Sequence, residues 1–208
     1  MQTRSLITLV KKQANDWSRE NIREVLNEVQ NYLCMQKPLN YFRMKDTTTG
    51  KDPILSTTSA AYEYDIGTTE LFPYDAWWVE RVYKSEDDYE DGYGKSADGS
   101  DSDYSVTRIP GDDENVAKVI FNTAPNGDYY VECYRKPTQI TDESIQLTVP
   151  ISYHLNTVYE GVVGWIEMST SGRSDRWTKF ETVLAPKFQN LMNRGRVDEI
   201  TFVTPKGY

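Results

Sequence analysis

The 208-residue sequence predicts an α+β protein: a helical bundle built from the N- and C-terminal helices, with an inserted antiparallel β-sheet domain and an extended C-terminal tail. Apolar residues recur at helical spacing near both ends of the chain, whereas an alternation of period two replaces that spacing in the middle. Both helical ends carry apolar stripes that need a partner, and the simplest packing brings them together. The predicted boundaries are 1–36 for the N-terminal helices, 37–149 for the β domain, 150–196 for the C-terminal helices and 197–208 for the tail.

The N-terminal part predicts two amphipathic helices. Thr3 is a candidate N-cap of the first helix and Ser18 of the second. Trp17 and Ile22 occupy the positions of a hydrophobic staple around Ser18. Pro38 marks the end of the second helix. The apolar positions are Leu6, Ile7, Val10 and Ala14 in the first helix, and Ile22, Val25, Leu26, Val29 and Leu33 in the second.

The middle of the chain predicts an antiparallel sheet. Tyr62, Tyr64 and Ile66 alternate with polar neighbours, which is typical of a half-buried strand. A second apolar strand contains Trp77, Trp78, Val79 and Val82. Two further strands, Val116–Phe121 and Tyr129–Tyr134, are separated by Ala-Pro-Asn-Gly-Asp, a turn sequence that predicts a hairpin between them.

An acidic loop is predicted at residues 85–104. Eleven acidic and three basic residues lie between Lys84 and Glu114, a net charge of −8 in a chain whose formal net charge is −9. Carboxylates at alternate positions, Asp98, Asp101 and Asp103, resemble a calcium loop but lack its glycine and its terminal glutamate, so a solvated acidic loop is the preferred interpretation. The loop also contains three tyrosines that no core is expected to cover, and these are predicted to contact a partner: Tyr89, Tyr93 and Tyr104.

Helical periodicity returns at Ser152. Gly161 and Gly164 allow close approach of a neighbour, Gly172 interrupts the pattern, and Ser174 is a candidate cap of the next helix. Pro186 lies inside that helix and predicts a kink or a break. Gly195 is expected to end it. The predicted apolar positions are Leu155, Val158, Tyr159, Val162 and Ile166, and then Trp177, Phe180, Leu184, Phe188 and Leu191.

The C-terminal tail is predicted to dock as an edge strand on another subunit. It lies beyond the last helix yet carries four large apolar side chains, a combination that a free tail seldom exposes. The alternative is that the tail folds back as a strand on its own sheet. The predicted interface residues are Ile200, Phe202, Val203 and Tyr208.

The sequence offers little catalytic chemistry. It contains no Gly-rich phosphate loop, no dinucleotide-binding turn and no Gly-x-Ser-x-Gly elbow. His154 is the one histidine and is interpreted as a capping or surface residue, while Cys133 is interpreted as a buried, inert thiol. Cys34 and Cys133 lie far apart, so neither a disulfide framework nor a zinc site is predicted. We therefore expect no enzymatic activity, no cofactor and no metal.

Several segments together resemble one family. Leu71–Tyr83 resembles a family segment in which leucine, proline and aspartate precede a β run. Tyr134–Glu143 is similar to the segment by which proteins of the same family leave the sheet. Pro150–His154, followed by a helix with Gly161 and Gly164, resembles the return to the helical bundle. The family consists of head-to-tail adaptor (connector, or head-completion) proteins of tailed bacteriophages. The resemblance spans most of the chain, although the acidic loop is not a family hallmark.

The resemblance implies a structural protein of the virion. Such adaptors form a ring, commonly of twelve copies, beneath the portal protein and carry the DNA channel onward to a tail or nozzle protein. Assembly would take place in the cytoplasm of the host bacterium, and the DNA would be enclosed without sequence-specific binding, because no basic stripe is present. No membrane role is expected. The alternative function is a carbohydrate- or receptor-binding module of a tail appendage, which the many Tyr and Trp residues and a calcium loop would suit.

Overall fold

The protein consists of two compact units. The computed structural model describes residues 2–36, 38–39, 41, 43–44, 54–58, 60–66, 76–84, 104–107 and 117–193. Unit 1 comprises Met1–Tyr41 together with Pro137–Tyr208, and unit 2 comprises Phe42–Lys136. Helices and antiparallel sheets are both present, so the predicted α+β class is confirmed.

The two N-terminal helices lie where the sequence predicts them, as α1 (Thr3–Gln13) and α2 (Arg19–Met35). Ser18 caps α2, since its hydroxyl accepts a hydrogen bond from the Asn21 N–H at 3.0 Å. The predicted cap at Thr3 is wrong, because helix α1 already includes this residue and begins after Gln2. The Thr3 hydroxyl instead donates to the Ile145 carbonyl at 2.5 Å. The predicted apolar stripe of α2 is buried throughout.

Residues 137–149 belong to unit 1, whereas the predicted boundaries place them in the β domain. Side-chain amides of α2 hold this segment. Asn27 accepts from the Ile140 N–H at 2.8 Å and donates to the Ile140 carbonyl at 3.2 Å. Gln30 accepts from the Thr148 N–H at 2.7 Å. These bonds satisfy backbone groups as a neighbouring strand would, which explains why the segment stays with the helices.

The C-terminal helices begin with a 3₁₀ turn, Ile151–Tyr153, and a first π turn, His154–Val158. Helix α3 (Tyr159–Ser171) ends at Gly172, whose φ of 71° lies in the left-handed region that favours glycine. Ser174 caps the next helix by accepting from the Trp177 N–H at 3.0 Å, as predicted. The remaining elements are α4 (Asp175–Lys179), a second π turn (Phe180–Leu184) and α5 (Ala185–Asn193).

Pro186 does not interrupt the helical run, so the predicted break at this position is wrong, whereas the predicted kink stays a prediction. The second π turn directly precedes it, and helical structure continues to Asn193. A proline ring conflicts with the carbonyl four residues earlier, here that of Thr182. The wider i→i+5 turn offers a physical reason for the continuous helix, because it changes the backbone geometry at this carbonyl. Gly195, the predicted end of the helix, lies outside the described residues.

Helix α3 packs closely on its neighbours through two glycines. A Cβ atom at Gly161 would lie 2.7 Å from Cε2 of Phe180 and 2.9 Å from Cγ1 of Val29. A Cβ atom at Gly164 would lie 2.6 Å from the backbone nitrogen of Trp177. The predicted close approach at both glycines is confirmed.

Unit 2 is built from short strands. The strands are β1 (Arg43–Met44), β2 (Ile54–Thr57), β3 (Glu63–Ile66), β4 (Ala76–Tyr83), β5 (Tyr104–Thr107), β6 (Ala117–Phe121) and β7 (Gly127–Arg135). In the described residues, β7 pairs with β4 on one edge, while β1 and β2 pair with different ends of β7 and therefore share its other edge. A second sheet has the order β3-β6-β5. The apolar faces of the two sheets contribute to one buried cluster.

The predicted hairpin between β6 and β7 is wrong. Both strands form, but β6 pairs with β3 and β5, whereas β4, β1 and β2 occupy the edges of β7. The turn sequence therefore leads from one sheet to the other. Phe121 and Tyr129, which flank this connection, have ring centroids 4.8 Å apart. Gly127 and Asp128, predicted as part of a turn, already belong to β7, and residues 122–126 connect the two sheets.

Candidate interaction surface on the C-terminal helices

Tyr104 is a core residue, which corrects its predicted role as a partner contact. It opens strand β5 and is 5 % exposed. Its hydroxyl accepts from the Val82 N–H and donates to the Val82 carbonyl, both at 3.1 Å. Burial raises the pKa of this phenol. Tyr104 therefore satisfies backbone hydrogen-bonding groups of β4 inside unit 2. The acidic residues that precede it in sequence favoured a loop, although a strand begins at this residue.

The other predicted interface residues lie outside the described residues. These are Tyr89 and Tyr93 of the acidic loop, and Ile200, Phe202, Val203 and Tyr208 of the tail. The carboxylates considered for calcium, Asp98, Asp101 and Asp103, lie outside as well. Among the described residues, no group of His, Cys, Asp or Glu side chains has the arrangement of a metal site.

His154 is buried, so its interpretation as a surface residue is wrong. It is 4 % exposed and lies in the first π turn, where its Nε2 is 2.7 Å from the Val149 carbonyl oxygen. This contact links the start of the C-terminal helices to the segment held by α2. His154 therefore has a structural environment within unit 1.

Both cysteines are buried, and Cys133 faces inward as predicted. Burial raises the pKa of both thiols, which strongly disfavours the nucleophilic thiolate.

Two tyrosine–glutamate pairs connect β4 and β7. The Tyr83 hydroxyl donates to Oε2 of Glu132 at 2.5 Å, and the Tyr134 hydroxyl donates to Oε2 of Glu80 at 3.0 Å. Tyr83, Glu132 and Tyr134 are all buried. A buried carboxylate needs such hydrogen bonds, so these pairs offset the cost of burying polar groups.

Exposed aliphatic side chains are concentrated on the C-terminal helices of unit 1. Ile151 is 70 % exposed and Leu155, one turn later, is 50 % exposed. The predicted inward position of Leu155 is wrong, because it lies in the first π turn, where one extra residue per turn changes which side chains face the core. By contrast, no large apolar side chain of α1 or α2 is exposed to this degree.

A second exposed row follows α4, the second π turn and α5. Its four members recur at every fourth residue and are all exposed, and we call them the lysine–aliphatic strip: Lys179, Val183, Lys187 and Leu191. The predicted core position of Leu191 is wrong, and the apolar periodicity does not reveal the strip. The four-residue spacing of alternating lysine and aliphatic residues is the signal in the sequence that could have found the strip.

Among the described helices, none is long and apolar enough to span a membrane.

Neither a protein-family model nor a curated protein sequence matches this chain.

Proposed function

We propose that this protein is a structural head-to-tail adaptor of tailed bacteriophages. It forms a ring, of twelve copies by the family resemblance, beneath the portal protein at the head–tail junction of the virion. Its two helical ends form one bundle, and its C-terminal tail is extended. The ring extends the DNA channel to a tail or nozzle protein, and assembly occurs in the cytoplasm of the host bacterium.

The observation that carries the proposal is the exposed apolar surface of the C-terminal helices. Ile151, Leu155, Val183 and Leu191 are each at least 39 % exposed, within a unit formed by both ends of the chain. Apolar side chains that lie together on a surface commonly mark contacts with another protein, and Ile151 and Leu155, four residues apart, are candidates for such a pair. The segments that resemble the adaptor family support the same proposal, since they run from the β strands back into these helices.

The chemistry of the described residues also supports a structural function. His154 and both cysteines are buried, and the tyrosine–glutamate pairs lie within β4 and β7. We therefore propose that the protein acts without catalysis or a cofactor. A channel wall of neutral or acidic character would let DNA move through the ring, because clusters of lysine and arginine hold phosphates.

Co-sedimentation with the portal protein of the same phage tests this proposal. We expect the adaptor to sediment with the portal oligomer, and the double variant Ile151→Ser/Leu155→Ser to bind more weakly. Met168→Ser is the matched control, because Met168 is exposed on α3 and lies outside both exposed rows. Retained helical circular dichroism would show that the variants are folded. Absence of the wild-type protein from the portal fraction would contradict the proposal.

Binding of glycans provides the opposing test. A carbohydrate- or receptor-binding module would bind a glycan array as the isolated protein, and it would not require the portal. Glycan binding together with no portal binding would therefore favour the tail-appendage alternative. We expect portal binding and no glycan binding.

A further inference from the structure

The lysine–aliphatic strip combines two chemical features along one helical run. Val183 is 52 % exposed and Leu191 is 39 % exposed, and a lysine precedes each of them by four residues. Residues four apart lie on neighbouring turns of the same helical side. From Lys179 to Leu191 the run rises by about 18 Å at roughly 1.5 Å per residue.

The two lysines offer positive charge to a partner. Within the part of the chain that the structure describes, neither Lys179 nor Lys187 forms an ion pair, whereas the nearby Arg176 lies 3.5 Å from Glu167. A ligand that complements the strip should therefore carry carboxylates beside apolar side chains. Such complementarity favours specific pairing and correct register more than it adds raw affinity.

The chain itself contains a segment with this chemistry. Residues 198–203 read Asp-Glu-Ile-Thr-Phe-Val, in which two carboxylates directly precede Ile200, Phe202 and Val203. In extended form, six residues span about 20 Å, close to the length of the strip. The described helical run ends at Asn193, two residues after Leu191, so this segment follows the strip in sequence.

We infer that the lysine–aliphatic strip of one copy binds residues 198–203 of a second copy. This inference rests on the proposed ring and names the contact between its neighbouring subunits. The strip and the segment are different surfaces, so each copy uses one of each, and such heterologous contacts close into rings when the rotation between copies allows it. Alternate residues of an extended segment share one face, so Asp198 meets a lysine of the strip while Ile200 and Phe202 cover the aliphatic side chains beside it. Glu199 adds negative charge at the same end of the segment.

Charge reversal in the full-length protein tests the contact. Sedimentation velocity should detect concentration-dependent self-association of the wild type. We expect the strip variant Lys179→Glu/Lys187→Glu and the segment variant Asp198→Lys/Glu199→Lys each to weaken it at least tenfold. The combination of all four changes should restore it. Met168→Ser should leave it unchanged. Val183→Ser/Leu191→Ser, which keeps the charges, should also weaken it.

Mixing the two charge-reversed variants separates binding to a second copy from binding within one chain. The normal segment of the strip variant can bind the normal strip of the segment variant, so we expect a one-to-one complex. A wild type that stays monomeric up to about 1 mM, or a mixture without that complex, overturns the inference. If the charge-reversed variants still sediment with the portal as rings, the adaptor function stands and this contact alone is wrong.

Discussion

Replacing Gly164 with alanine tests how closely α3 and α4 pack. The new Cβ atom would lie 2.6 Å from the Trp177 nitrogen and 2.9 Å from the Arg176 carbonyl carbon, both of which are backbone atoms. Overpacking of this kind costs about 1–3 kcal/mol, whereas alanine is favoured over glycine within a helix by about 0.5–1 kcal/mol. Because backbone atoms cannot move aside, the upper part of the overpacking range, about 2–3 kcal/mol, applies, and we expect a net loss of about 1–2.5 kcal/mol in the free energy of unfolding. For a chain of this length, the loss lowers Tm by about 2–10 °C.

Thermal and urea unfolding, followed by circular dichroism at the helical bands, measures this loss. Gly161→Ala is the matched comparison, because its Cβ would meet the Phe180 ring and a Val29 methyl group, which are side-chain atoms that can move. We expect a smaller loss for Gly161→Ala than for Gly164→Ala. Ser169→Ala, on the exposed side of the same helix, should be close to neutral. A Gly164→Ala protein as stable as the wild type would refute the packing argument.

Three further predictions concern unit 2, the segment held by α2, and the cysteines. Tyr104→Phe should lower the free energy of unfolding by about 1–3 kcal/mol, since the Val82 N–H and carbonyl lose their bonds to the hydroxyl, whereas the exposed Tyr62→Phe should have little effect in the same urea titration. The hydrogen bond from Arg19 holds the pKa of Glu143 below its usual range, so the ionised Glu143 stabilises the folded protein above about pH 4.3, and this stabilisation is lost as the pH falls further. Glu143→Gln should therefore flatten the decline in wild-type stability between about pH 3 and 5. An unchanged pH profile of stability would contradict this. Both thiols should react slowly with a thiol reagent in the native protein and fully in urea, and fast native reaction would contradict their burial.

The sequence predicted the elements of this fold better than their partners. Ser18 and Ser174 were recognised as caps because the hydrogen bonds they accept are local, from N–H groups three residues later. The apolar stripe of α2 was recognised because its 3.6-residue period is uninterrupted. The pairing of β6 could not be predicted in this way, because its partners β3 and β5 are not its neighbours across a short turn and no local pattern predicts them.

The candidate surface was less accessible to prediction for two physical reasons. Leu155 lies in the first π turn, where the extra residue per turn disrupts the regular helical period that assigns it to the core. Leu191 lies in α5 beside the buried face that Phe188, Gln189 and Met192 form, and apolar spacing alone does not distinguish these positions. The predicted acidic loop ends at Tyr104, which is in fact the first residue of β5. The hydrogen bonds between the Tyr104 hydroxyl and Val82 depend on tertiary structure, so no local pattern indicates them. The predicted contacts of the acidic loop and the tail stay predictions.

Electron microscopy of the protein mixed with its portal tests the central claim most directly. We expect negatively stained side views in which an additional ring lies under the portal, and end views in which a central channel continues through that ring. No ring should be added to a portal from an unrelated phage. Portal particles without an added ring, at protein concentrations well above those of the portal, would contradict the assignment as a head-to-tail adaptor.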